Sequence, residues 1–280
     1  MSGSRGLSIG LALAAAALAG CGGGGGGRDA REALDQTAAK VRDIRSADLA
    51  LRMVLEPRQD AAKGRVGFAL SGPIALSPAA GLPKARVTYT QIAGAKQGSA
   101  TFVSTGKDVF VEVGDQAYRL PKAQRTALAS SAGSVRDGVE VPVGRWVVDP
   151  KLSDGGQVGG AATDHISAEL DPVAALRDIF ATARRAGAQV PDLQGAAADE
   201  LRRAVRSTSI EIWSGRDDHL LRRLRLQIGF QVTPPAALRQ RLGELVGGRL
   251  ALDIDLSKVN EPVTVAAPQH PRPASALGHG

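Results

Sequence analysis

The chain has 280 residues, with 35 Lys and Arg against 28 Asp and Glu, and it contains a single cysteine. A net charge of +7 over this length, with only 3% aromatic residues, does not favour a nucleic-acid-binding protein, in which basic and aromatic side chains share one patch. One cysteine excludes an intramolecular disulfide and a metal site built from several thiolates.

The first 20 residues have the pattern of a secretory signal peptide. Arg5 precedes an apolar run from Leu7 to Leu18 that is too short to span a bilayer. The run ends in Leu18-Ala19-Gly20-Cys21, which resembles a bacterial lipobox. That resemblance implies cleavage after Gly20 and a diacylglycerol on Cys21, whose two acyl chains would give stable anchoring. The alternative is an ordinary signal peptide beside a cysteine that is there by chance.

Four segments are predicted along the chain. Residues 1–20 are the signal peptide, 21–28 the lipidated cysteine with a glycine-rich linker, 29–268 one domain, and 269–280 a disordered tail. The six glycines of the linker should act as a flexible tether with a root-mean-square reach of about 13 Å. A domain of this size can bury a substantial core without disulfides.

An amphipathic helix and then a series of strands are predicted in the first half of the domain. The helix covers residues 29–45, where apolar side chains recur at helical spacing. At Ser46 the apolar period changes to two, which indicates half-buried strands separated by turn residues. The predicted strands are 46–57, 65–70, 86–91, 98–104, 108–113 and 116–120. Their short connections favour antiparallel hairpins.

Helices dominate the predicted middle of the domain. The clearest covers 171–187, because Asp171 is a good N-cap and Pro172 suits the first helical position. Further helices are predicted over 121–131 and 196–206, and another after Thr233, whereas 144–149 should be a strand or an extended loop.

Strands resume after the central helices. The predicted strands are 209–213, 219–230, 249–256 and 263–266, the first two forming a hairpin around 214–218. Parallel sheets would need strands and helices to alternate throughout. The order of elements therefore predicts an α+β fold, with a curved antiparallel sheet and helices gathered on one face.

Four short stretches carry a family resemblance. They are 145–149, 164–171, 210–223 and 252–263. Together with the lipobox and the order of elements, they resemble the LppX/LprA/LprF/LprG-type (LppX_LprAFG) lipoproteins of mycobacteria and related actinobacteria. That family shares the half-barrel fold of the LolA lipoprotein carrier. The resemblance spans residues 29–268 and implies an α+β, LolA/LppX-like β half-barrel with helices packed on its concave face.

The resemblance also implies a function. In the family, the concave face and the helices over it enclose an apolar cavity for acyl chains. We therefore expect a lipoprotein anchored through Cys21 to the extracytoplasmic face of the cell membrane, which binds a lipid, glycolipid or lipoprotein and transfers it across the envelope. An envelope transporter is the expected protein partner, and no nucleic acid or cofactor is expected.

The alternative function is that of a structural or interaction lipoprotein. It would have the same fold with its interior filled by side chains, and it would assist an envelope transporter or a wall enzyme. The residues proposed to line a cavity are Leu51, Met53, Phe68, Leu70, Val103, Phe110, Trp146, Phe180, Trp213, Leu226 and Ile254. Each of them taken alone is more often a core residue than a ligand contact.

Patterns for catalysis and for metal binding are absent from the sequence. The acid–imidazole neighbours are Asp164-His165 and Asp217-Asp218-His219, and no serine stands in a Gly-x-Ser-x-Gly elbow to use them. The four histidines form no paired motif on a helix, so neither an enzyme nor a metal site is expected.

Arginine groups have two interpretations. They are usually solvated, but one group at a cavity rim would suit a phosphate or sulfate headgroup. The groups are Arg184 and Arg185; Arg202, Arg203 and Arg206; and Arg222, Arg223 and Arg225.

Overall fold

The computed structural model describes residues 29–58, 64–75, 81–94, 96–138, 143–185, 194–231 and 247–276. The strands are β1 (Ser46–Pro57), β2 (Val66–Ala75), β3 (Lys84–Ala93), β4 (Lys96–Thr105), β5 (Val109–Val113), β6 (Gln116–Arg119), β7 (Val147–Val158), β8 (Ala161–Leu170), β9 (Val205–Gly215), β10 (Leu221–Gln231), β11 (Gly247–Ser257) and β12 (Arg272–Pro273). The helices are α1 (Ala30–Lys40), α2 (Lys122–Gly138), α3 (Val143–Trp146), α4 (Pro172–Arg185) and α5 (Ala196–Ala204).

All the strands of the described ranges form one sheet. Their order across it is β12-β6-β5-β4-β3-β2-β1-β11-β10-β9-β8-β7, and only the pairing of β12 with β6 is parallel. The sheet is curved and unclosed, with β12 and β7 at its edges. This arrangement confirms the predicted α+β class with an antiparallel half-barrel sheet.

The sheet is joined at its centre by residues far apart in the chain. β1 pairs with β2 on one side and with β11 on the other, so that Leu51 lies opposite both Leu70 and Ile254. The strands from β2 to β6 follow one another as hairpins. β7 and β8 form another hairpin, and β9 and β10 form a third pair of neighbours. The pairing of β1 with β11 therefore joins the two halves.

N-capping aspartates explain where α1 and α4 begin. The carboxylate of Asp29 accepts a hydrogen bond from the backbone amide of Arg31 at 3.1 Å. Asp171 does the same for the amides of Val173 and Ala174, at 2.9 and 3.0 Å. Both are N-caps, which satisfy amides that have no partner within the helix. The predicted cap at Asp171 is confirmed.

The core lies between the helices and one half of the sheet. α1 contacts β7 and β8, α3 lies against both α1 and α4, and α5 contacts β9. The core cluster is Ala33, Leu34, Trp146, Val147, Ile166, Leu170, Ala175, Ile210, Ile212, Leu226 and Ile228. The helices therefore pack on the β7–β10 half.

The C-terminal segment crosses the other half of the sheet. The amide of Asn260 donates to the carbonyl of Ser46 at the start of β1, and Arg272 pairs with Tyr118 on β6. Four strands lie between β1 and β6. The tail predicted from residue 269 thus contains β12 and a 3-10 turn at Ala274–Ala276, and residues 277–280 lie outside the described ranges.

The prediction of a strand over 263–266 was wrong. These residues form no strand, because the segment between Glu261 and His270 crosses the sheet instead of adding to its ladder. The hairpin of β7 and β8 was not predicted. Residues 144–149 divide between α3 and the start of β7.

Other predictions fall outside the described ranges. They concern the signal peptide and Cys21, and the helix after Thr233, since residues 232–246 are not described. No helix of the described part of the chain is both long and apolar enough to cross a bilayer.

Candidate functional site: the apolar face of the sheet

The face on which the helices lie carries three rows of apolar side chains. Directly paired residues of neighbouring strands point to the same side of a sheet, so the register identifies each row. The first row is Ile212, Leu224, Ile254, Leu51 and Leu70. The second row is Ile210, Leu226, Leu252, Met53 and Phe68. The third row is Ile228, Leu250, Leu55 and Val66.

Burial changes along these rows. On β9 and β10 most of the side chains are buried, with Ile210 at 1% exposed and Leu226 at 6%, and Leu224 is half-buried. On β11, β1 and β2 every member of the rows is at least partly exposed, and Val66 reaches 51%. The helices that the structure describes cover the rows at β7–β10, and beyond β10 the rows are partly exposed. We call the members on β11, β1 and β2 the open apolar face.

Strand geometry sets the size of the open apolar face. Neighbouring strands are about 4.8 Å apart and same-face residues about 6.8 Å apart along a strand. Three strands and three rows therefore give an apolar surface of roughly 10 by 14 Å. Tyr89 extends it onto β3, where its ring stacks on Phe68 with 6.1 Å between the ring centroids. The surface is large enough to cover a substantial length of an alkyl chain.

The structure brings six of the eleven proposed cavity residues onto the apolar rows. They are Leu51, Met53, Phe68, Leu70, Leu226 and Ile254. Their neighbours Leu55, Leu224, Ile228, Leu250 and Leu252 belong to the same rows but were not proposed. The period-two pattern marks them all, but only the register shows which positions of different strands meet.

The other five proposed residues lie elsewhere. Trp146 is buried in α3, where its Nε1 donates to the Asp178 carboxylate at 2.8 Å, and Phe180 is half-buried on α4. Val103 and Phe110 pair across β4 and β5 in register with Arg86 and Arg119, on the face opposite the rows. Both are nevertheless buried.

Trp213, the last of the five, lies on the opposite, polar face. Its ring stacks on His165 with 4.4 Å between the centroids. The guanidinium carbons of Arg223 and Arg225 lie 5.5 and 5.4 Å from the centre of the same ring system, within the range of cation–π attraction. The Trp213 side chain therefore belongs to a polar cluster and does not face the apolar rows.

Some arginines of the predicted groups form ion pairs. Arg223 pairs with Asp255, and Arg225 lies 3.8 Å from Asp253, both on the polar face. A shallow depression of about 510 Å³ lies beside them, lined in part by Arg52 and Asp253. Its charged lining does not suit an acyl chain.

Four further arginines of the predicted groups lie outside the apolar rows. Arg222 is buried and pairs with Asp218 in the turn between β9 and β10, and Arg202 pairs with Asp199 on α5 at 2.9 Å. Arg203 and Arg206 are exposed at the end of α5 and the start of β9. None of these four lies in the rows.

The histidines form no catalytic or metal arrangement that the structure displays. His165 Nδ1 lies 3.2 Å from the hydroxyl of Ser153, on the polar face, and His219 is in the turn before β10 with a φ of 56°. Within the described ranges, no three His, Cys, Asp or Glu side chains come together as a metal site would require.

One charged cluster borders the open apolar face at the end of its strands. Glu56 on β1 accepts from Arg249 Nη2 at 2.6 Å, and the Nε of Arg65 lies 3.0 Å from its other oxygen. The hydrogen bond from Arg249 lowers the pKa of Glu56 below its usual value. Arg58 follows two residues later and donates to Gln231 at 3.4 Å. We call Arg58, Arg65 and Arg249 the arginine rim.

Comparison with known proteins gives structural matches only. No protein-family model matches the chain, and neither does any curated protein sequence. Among solved structures, LprF from Mycobacterium bovis is 15% identical with a TM-score of 0.44, over 85% of this chain and 96% of that one. The lipoprotein LppX of Mycobacterium tuberculosis is 14% identical with a TM-score of 0.44, over 85% and 98%. The chain is similar to LprF and LppX.

Proposed function

We propose that this chain is an envelope lipoprotein that binds acyl chains on its apolar face and transfers the bound lipid, glycolipid or lipoprotein across the envelope. Cys21 would anchor it to the extracytoplasmic face of the cell membrane. The observation that best supports the proposal is the open apolar face, where rows of alkyl side chains continue on β11, β1 and β2 beyond the part that the helices bury.

The physical basis of binding would be removal of alkyl groups from water. Each buried methylene contributes about 0.8 kcal/mol, so about a dozen give roughly 10 kcal/mol. Association itself costs about 4 to 15 kcal/mol. One short chain would therefore bind weakly, whereas a lipid with two or three long chains would bind stably. No covalent step is needed.

Native mass spectrometry tests this proposal. Residues 22–280 contain every described element and would be purified without detergent, then extracted with organic solvent. The wild type should carry an acyl lipid. The double variant Met53→Gln and Ile254→Asn places polar groups on the open apolar face and should retain about thirtyfold less lipid, since each of the two unfavourable contacts costs about 1 kcal/mol.

Val148→Gln is the matched control. Val148 is 43% exposed on the edge strand β7, away from the apolar rows, so its replacement should leave lipid retention unchanged. A lipid-free mass that does not change on incubation with envelope lipids would contradict the proposal. That result would favour the interaction lipoprotein that assists a transporter or wall enzyme.

A further inference from the structure

Among the residues that the structure describes, those at one end of the open apolar face are buried and those at the other end are accessible. At the first end, Ala47, which shares a face of β1 with Leu51, is 2% exposed. The C-terminal segment lies at the same end, where the carbonyl of Glu261 accepts from the Ser46 hydroxyl at 2.6 Å. At the second end, Leu55 and Val66 remain accessible. A chain lying along the strands must therefore leave its polar end at the second end.

The arginine rim lies at that second end. Arg249 and Arg65 are each one position beyond a member of the third row, Leu250 and Val66, and Arg249 pairs with Glu56 across the strands. Alternation directs the side chains of Arg65 and Arg249 to the polar face at these strand ends, and Arg58 follows where β1 has ended. The rim therefore borders the exit of the open apolar face.

The charges of the arginine rim are not balanced by the acid within it. Arg65 and Arg249 both pair with the carboxylate of Glu56, whereas Arg58 donates to the uncharged side chain of Gln231. Three positive charges therefore stand against one negative charge. The side chains of Arg65 and Arg249 are 64% and 54% exposed, so part of their donor capacity faces solvent. A guanidinium has five N–H donors in a fork that matches the oxygens of a phosphate. The rim thus offers donors for an anion.

We propose that the arginine rim binds the phosphate of an anionic phospholipid whose acyl chains occupy the open apolar face. This inference rests on the proposed function and adds a headgroup preference to it. Charge-assisted hydrogen bonds to phosphate are strong and directional, whereas a zwitterionic head brings its own cation toward the guanidinium groups. The protein therefore selects anionic over zwitterionic lipids with the same acyl chains.

A lipid competition experiment tests this inference. The chain of residues 22–280 is incubated with vesicles of phosphatidylglycerol and phosphatidylcholine in equal amounts and with identical acyl chains. The protein is separated from the vesicles, and the retained lipids are quantified by mass spectrometry. The expected preference for phosphatidylglycerol is about tenfold, the effect of one charge-assisted hydrogen bond.

The variant Arg58→Gln with Arg65→Gln should lose that preference and still retain both lipids. Lys84→Gln with Lys107→Gln is the matched control, because it removes two positive charges near the opposite strand ends and should keep the preference. Thermal unfolding of each variant establishes that it is folded. A rim variant that keeps the preference, or a control that loses it equally, overturns the inference.

Two further measurements distinguish a lipid phosphate from free phosphate, and the headgroup preference from acyl-chain binding itself. The preference should persist in excess inorganic phosphate, and its loss there would assign the rim to free phosphate and overturn the inference. Equal retention of both lipids by the wild type would overturn the headgroup preference and leave acyl-chain binding intact. Retention of neither lipid would overturn the proposed function itself.

Discussion

Asp171 and Arg216 each fix a junction between elements. Asp171 caps α4. Arg216 Nη2 lies 3.0 Å from Asp154 and its Nε 3.2 Å from Asp164, so one guanidinium links the β7–β8 hairpin to the turn before β10. The sequence predicts the cap because its partners are two and three positions away. It could not predict the Arg216 contacts, whose carboxylates lie 52 and 62 positions earlier.

Replacing Asp171 with alanine should lower the free energy of unfolding by about 1 kcal/mol, because two amides at the start of α4 lose their acceptor. Guanidinium chloride unfolding followed by circular dichroism measures the change. Asp217→Ala, at an exposed turn position, is the control and should leave the midpoint near that of the wild type. Equal midpoints for the two variants would show that the cap contributes nothing.

Elements with a clear apolar pattern could be predicted from the sequence, whereas elements without one could not. β10 alternates leucines with arginines, and α4 combines a cap with an apolar stripe, so both are found from the sequence. β7 is an edge strand with register shifts after Val148 and Asp154, and its polar residues show no clean period. The register between strands could not be predicted either, because it depends on which strands pair with one another. Six of the eleven residues proposed to line a cavity lie on one apolar face, and the other five, Trp213 among them, do not.

Removing residues 269–280 should expose the edge of β6. β12 pairs there with Tyr118 and Arg119, and edge amides without partners exchange rapidly. Hydrogen exchange followed by mass spectrometry should show faster exchange in β6, with exchange in β9 and β10 unchanged. A chain that ends after Ala276 keeps β12 and is the matched control. Identical exchange of β6 in both truncated chains would contradict a protective role for β12.

At the scale of the whole molecule, one sheet has two unlike halves. The helices and the core lie over β7–β10, whereas β1, β2 and β11 keep apolar side chains partly exposed. The sequence was sufficient for the fold class, because the order of helices and hairpins excludes a parallel sheet. The uneven distribution of the helices could not be predicted, since every strand face has a similar alternating pattern.

Processing at Cys21 is the prediction that concerns the whole chain. Protein taken from the membrane fraction should lack residues 1–20 and carry the added mass of a diacylglycerol on Cys21, because the lipobox directs both steps. Intact-mass measurement checks this result. Cys21→Ser should retain residues 1–20, whereas Gly24→Ser alters only the linker and should be processed normally. An unmodified wild type cut at another site would contradict the lipobox.

The pairing of β1 with β11 has a consequence for the rate of folding. Leu51 meets Ile254, 203 positions later, so the centre of the sheet forms only after a very long loop has closed. Folding slows as contacting residues become more distant in the chain. Synthesis at about 5 to 20 residues per second puts at least about ten seconds between these two strands. Throughout that interval the nascent chain lacks the ladder that joins the two halves of its sheet, and the β11 side of β1 stays without its partner strand.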